Sequence, residues 1–193
     1  MRKHTIGLGL TGLIAATCDS ILLANNLKYG WYNFDMDGFS MSAGLFFGLI
    51  IGIYVLVFKL VNGSWYTKLV RVLLWVIAST LIHAGVVFGS GVFIFFIGQF
   101  APIIIGGVFG ALLMLFAFLL IYPLPLKANW LWLLGLSVIL SMSILSTNSP
   151  NIESSTKQGM WMVLIWQTGM ATAIGSIIDK RTKEKLPVKP ILN

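Results

Sequence analysis

Two side chains in this sequence have the types and positions that acid–base chemistry inside an apolar environment would need, Asp19 and His83. Each is the single residue of its kind within a long apolar run, Asp19 in 5–24 and His83 in 69–88. A carboxylate at depth in hydrocarbon costs on the order of 2.5–3.5 kcal/mol on insertion scales, so it calls for a partner or a task. Histidine titrates near physiological pH and can relay a proton or hold a polar solute. Both residues lie 14 positions from the start of their runs, roughly 21 Å at 1.5 Å per residue and therefore in the outer half of a ~30 Å hydrocarbon core. Gln167, counted from the outer end of 159–178, comes to roughly 18 Å, and Gln99 stands at the outer end of the run 102–122. Asp19, His83, Gln99 and Gln167 thus define a candidate polar cavity open to the outer face, with Asp19 and His83 as an ion pair or proton-handling pair. The plainer reading has Asp19 reaching headgroups or capping its loop, and His83 neutral and hydrogen-bonded between helices.

The outer segment 25–41 holds a second group of chemistry-bearing residues. Trp31, Tyr32, Asp35 and Asp37 are a candidate lid that would stack on a ligand above the cavity; the alternative is an interfacial aromatic belt. Asp35 and Asp37 before Gly38 touch the start of a calcium-loop pattern but lack its later ligands and terminal glutamate, so no metal site is assigned. The sequence names no cofactor. It also holds no HExxH and no pair of intramembrane aspartates. Gly89-Ser90-Gly91 follows His83 on the same helix or its end, the wrong arrangement for a serine nucleophile activated by a histidine from another helix. Cys18 is alone and forms neither an internal disulfide nor a CxxC pair. No catalytic residue is therefore assigned.

The elements that must position these groups follow from composition. The chain has 193 residues, 58% hydrophobic and 10% charged, with mean hydropathy +0.91, whereas soluble domains carry about 25% charged residues. Neither a soluble globule nor a disordered chain fits. The reading is an all-α polytopic membrane protein, a single integral domain of six transmembrane helices at about 5–24, 42–61, 69–88, 102–122, 130–146 and 159–178, followed by a short basic tail over 179–193. The 55 residues 72–126 carry no formal charge; at roughly 80 Å of helix they hold two spans and one reversal. The remainder, 89–101, is a re-entrant half-helix or a kinked extension of a neighbouring span, and the extension is preferred because re-entrant backbone needs surrounding protein.

Charge sets the orientation. Of the 13 Lys and Arg residues, all but Lys28 and Lys157 fall on one side of a six-span arrangement. That bias places both termini in the cytoplasm of a multi-pass cell-membrane protein, the inner membrane in a bacterium. The same placement argues against nucleic acid as the reason for the net charge of +7. The first run loosely resembles a signal peptide, but Thr17 is a poor residue before a cut and the run continues to Ala24, so it is read as a retained helix.

In lipid, helices associate through close backbone approach at small residues. Gly12 and Ala16 in the first span, Gly44, Gly48 and Gly52 in the second, and Gly106 and Gly110 in the fourth stand at four-residue spacing and are read as contact seams. Beyond lipid, the seams serve packing within the chain, or a partner membrane subunit or second copy, for which the second span is the best candidate. The leading functional expectation is binding or transport of a small solute from the outer face, as a permease or transporter subunit. A non-catalytic accessory, assembly or immunity-type membrane protein is the alternative, and a membrane-embedded enzyme the third.

Overall fold

A computed structural model describes residues 3–29, 42–60, 62–122, 135, 139 and 152–184. Among these the chain is all-α. In order come α1 (Lys3–Tyr29), α2 (Ser42–Val57), α3 (Trp65–Ile97), a 3-10 turn (Gly98–Phe100), a π-helical segment (Pro102–Phe109), α4 (Gly110–Ile121) and α5 (Ile152–Glu184). Three stretches are long and apolar enough to cross a membrane: Lys3–Leu22, Trp65–Ser90 and Ile104–Ile121. Ala43–Val57 is apolar but shorter. The chain is a small helical membrane protein. The expected fifth span, 130–146, lies outside the described residues except at Gly135 and Ile139, both helical.

Local chemistry explains the breaks. The backbone leaves α2 at Lys59, which takes a φ of 50°. Leu60 N–H then donates to Val55 O and Lys59 N–H to Leu56 O, both at 3.1 Å, the Schellman pairing that satisfies carbonyls left over at a helix end. Leu60 turns back onto the core. Gly63, at φ 131°, completes the reversal, and Ser64 caps α3 by accepting from Thr67 N–H at 3.3 Å.

α3 continues without interruption to Ile97, so 89–97 is an extension of the third helix and 98–101 the turn that follows it, with no re-entrant half-helix between. At 33 residues it is about 50 Å long. Each backbone group in such an extension finds its partner inside the helix, which a re-entrant loop cannot achieve by itself. Reversal waits for Gly98, at φ 57°, a conformation that glycine adopts without steric penalty. The fourth span opens as a π-helix at Pro102, a residue with no amide hydrogen to give to the preceding turn.

Neighbouring helices run antiparallel. Gly175 of α5 packs on Thr5 of α1, Gly7 of α1 on Tyr54 of α2, and Gly52 of α2 on Val72 of α3. Trp75 of α3 meets Phe118 of α4 edge-on at 5.0 Å. The beginnings of α1 and α3 and the ends of α2, α4 and α5 therefore share one end of the bundle, and Lys3, Lys59, Lys68, Arg71 and Lys180 collect there. α1 packs chiefly on α5 and α2, while α3 packs on α2 and the fourth span. Phe47, Ile51, Trp75, Met114, Phe118, Met170 and Ile174 fill the middle.

Candidate functional site: a polar layer at the start of α2

The glycine rows bring the backbones together. A methyl group added at Gly44 would sit 2.6 Å from Ser79 O, 2.8 Å from Thr80 Cα and 2.7 Å from His83 Cβ. At Gly48 it would run into Ser79 Oγ and lie 2.9 Å from Val76 Cα, and at Gly52 it would lie 2.7 Å from Val72 Cγ1. All three glycines of α2 thus face α3 of the same chain. Gly12 faces α5, its added carbon 2.6 Å from Ala171 Cβ and 2.7 Å from Gln167 O, and Ala16 beside it is fully buried. In the fourth span Gly110 is close to Val86 (3.0 Å), while Gly106 is looser (3.7 Å to Ser90 Oγ).

This packing sets the level of the polar residues. Asp19 lies on the buried stripe of α1 that continues Leu8, Gly12 and Ala15, and it is 3% exposed. His83 packs against Gly44 in the first turn of α2. Helices α1 and α3 each pack on α2. Gln167, whose backbone packs on Gly12, extends its amide to this turn and donates from Nε2 to Ala43 O at 3.1 Å. Ser79 donates across the seam to Gly44 O at 2.9 Å.

Gln99 does not belong to the layer. It sits in the turn beyond Ile97, and the 14 residues of continuous helix from His83 to Ile97 carry it about 21 Å along the α3 axis. The sequence spacing had put it at the top of a separate, nearer helix; the extension of α3 is what removes it. Trp31, Tyr32, Asp35 and Asp37 lie outside the described residues. Asn25 and Asn26 are inside α1, which continues to Tyr29.

Several polar atoms on α1 and α5 stay without a hydrogen bond despite full burial: Gln167 Oε1, Ser20 Oγ and Trp166 Nε1. Leaving such a group unmade costs about 1–3 kcal/mol each. An acceptor, a hydroxyl and a donor left open inside the bundle are the chemistry that would hold water or a polar solute. No group of three metal-ligating side chains occurs among the described residues.

Sequence reasoning missed one site at the basic end. Asp179, assigned to the start of a solvated tail, is 7% exposed and lies within α5. Its carboxylate accepts from His4 N–H (3.0 Å), Thr5 N–H (2.8 Å) and the Thr5 hydroxyl (2.6 Å). Burial alone would raise its pKa, but the Thr5 hydroxyl, the two amides and the His4 charge outweigh it and hold the carboxyl below its ordinary value. The same turn is tied to α2, with His4 Nδ1 3.3 Å from Tyr54 Oη. A signal did exist: α1 has no acidic residue in its first turn, and its bare amides needed an anion from elsewhere.

No protein-family model, curated protein or solved structure matches this chain. Function therefore rests on the arrangement of its own residues.

Proposed function

We propose that this membrane protein binds or passes a small polar solute from its outer face, as a permease or transporter subunit of six spans with both termini in the cytoplasm. The observation that supports this reading is the set of buried polar groups in the bundle, with Asp19 buried next to Ser20, whose hydroxyl is open, and Gln167 reaching Ala43 in the first turn of α2. A bundle held only by packing gains nothing from orphaned polar atoms in its interior. In this reading Asp19 and His83 hold or relay a proton across the layer, and the residues 25–41 cover it. The glycine row of α2, the surface a partner chain would need in an accessory protein, is occupied by α3.

Cysteine accessibility tests the proposal. With Cys18 replaced by serine, Ser20→Cys in intact cells should react with a small, charged, membrane-impermeant thiol reagent applied outside. Leu49→Cys, on the exposed apolar face of α2, should not. Failure of Ser20→Cys to react from outside in a folded, inserted protein would remove the outward aqueous path and with it the proposal.

A further inference from the structure

The contacts between helices are of two kinds, and they divide the bundle. Where α1 meets α5, glycine lets the backbones touch. A methyl group added at Gly12 would lie 2.7 Å from Gln167 O and 3.1 Å from Thr168 Cα, and one added at Gly175 would run into His4 O and lie 2.7 Å from Thr5 Cα. Asp179 then binds α5 to the first turn of α1 through the His4 amide, the Thr5 amide and the Thr5 hydroxyl. Where α2 meets α3 the backbones touch again, at Gly44 and Gly48, and Ser79 donates across the seam to Gly44 O. The fourth span joins this second group through Gly110, whose added carbon would lie 3.0 Å from Val86 Cγ2. Close backbone contacts of this kind hold two helices in one register, because there is no side chain between them to turn aside.

The seam between the two groups is built differently. α1 meets α2 at Gly7, and the nearest atoms to a methyl group added there belong to the end of the Tyr54 side chain. Two polar ties cross this seam, one at each end of α2. Gln167 Nε2 donates to Ala43 O at 3.1 Å, and His4 Nδ1 lies 3.3 Å from Tyr54 Oη. The rings of Phe47 and Trp166 also meet across it, with centroids 6.1 Å apart. α5 touches α2 and α4 only lightly. Packed side chains tolerate small sliding of one helix past another, which interlocked backbones do not. We propose that α1 and α5 rock as one body against the body formed by α2, α3 and the fourth span, with His4–Tyr54 and Gln167–Ala43 as the releasable ties at its two ends. Release of the Gln167 tie opens the end at the start of α2 while His4 and Tyr54 keep the basic end closed; release of the His4 tie does the reverse. As a route for a solute this motion rests on the permease reading, whereas the division into two bodies does not.

Pairs of spin labels read the motion as distances in the full chain, reconstituted in lipid nanodiscs with Cys18→Ser and without any solute. The labels go on exposed apolar side chains, so the core is untouched. Ile6→Cys with Leu69→Cys spans the two bodies at the basic end, and Ile21→Cys with Leu81→Cys spans them at the other. Ile14→Cys with Trp161→Cys, and Ile53→Cys with Leu73→Cys, are references inside each body. Tyr54→Phe removes the hydroxyl and keeps the ring beside Phe58, 4.3 Å away between centroids. It should shift the basic-end distance by about 2 Å or more, the scale on which packed helices slide, and leave the other end unchanged. Gln167→Met, similar in length but without the amide, should do the reverse. The reference distances should stay narrow in wild type and both variants, which also shows that the variants are folded. An unmoved distance at its own end in either variant overturns the proposal, as does a shift of both ends together. So do reference distances that broaden as much as those between the bodies. Because no solute enters the measurement, the rocking motion and the aqueous path probed at Ser20→Cys fail separately.

Discussion

Replacing Asp179 by alanine should loosen the whole basic end of the bundle, although the residue lies 175 positions from the backbone it serves. The wild-type carboxylate accepts three hydrogen bonds, at 3.0, 2.8 and 2.6 Å, from the first turn of α1. Loss of a helix cap costs about 0.5–2 kcal/mol, and loss of a negative charge at a helix N-terminus about 0.3–1 kcal/mol. Two partly buried amides and a hydroxyl left without an acceptor raise the expected total to about 3 kcal/mol. Asp179→Asn keeps an acceptor oxygen and should cost about half as much. The sign of the pH dependence follows from the lowered pKa of the folded state. Folding stability from Asp179 is fully present above the ordinary carboxyl pKa of about 3.9 and is lost as the pH falls through the lower, folded value. Wild type should therefore lose stability in acid more steeply than Asp179→Asn, the two curves converging below pH 4. Fractional unfolding in mixed micelles measures the difference, and backbone hydrogen exchange at His4 and Thr5 localises it. Equal stability of Asp179→Ala and wild type near neutral pH, with unchanged exchange at His4 and Thr5, would refute the reasoning.

Gly48→Leu should destabilise by about 3 kcal/mol or more, because its first carbon already overlaps Ser79 Oγ and stands 2.9 Å from the Val76 backbone. Leu49→Ala, on a side chain 40% exposed, should cost less than about 1 kcal/mol; similar thermal stability of the two in detergent would dismiss the α2–α3 seam. In the polar layer, Asp19→Asn and His83→Ala together should cost less than their sum, the mark of groups that share a network. Additivity within about 0.5 kcal/mol in the same unfolding assay would separate the two residues and end the paired role proposed for them.

Composition and spacing carried the class of protein a long way. A chain with 55 consecutive uncharged residues and 58% apolar side chains has few ways to satisfy its backbone except as helices in lipid. The four-residue glycine spacing likewise announced close contacts, because each glycine surrenders about 1 kcal/mol of helix propensity that must be recovered by something. Spacing could not say which helix a row would face. Gly44, Gly48 and Gly52 pack on α3 of their own chain, and that choice depends on the shapes of Val72, Val76 and Ser79.

The failures share one cause. Gln99 lost its place because helix length is decided by where the chain can turn, and the turn waited for Gly98. Asp179 looked like part of a solvated tail because its charge is judged locally in sequence, whereas its energy comes from amides at the other end of the chain. Sequence alone determined the quantities that depend on one residue or one helix: apolarity, helical character and the side on which charge collects. Tertiary structure decided the pairings between helices, because burial and hydrogen bonding at those positions are properties of two surfaces in contact.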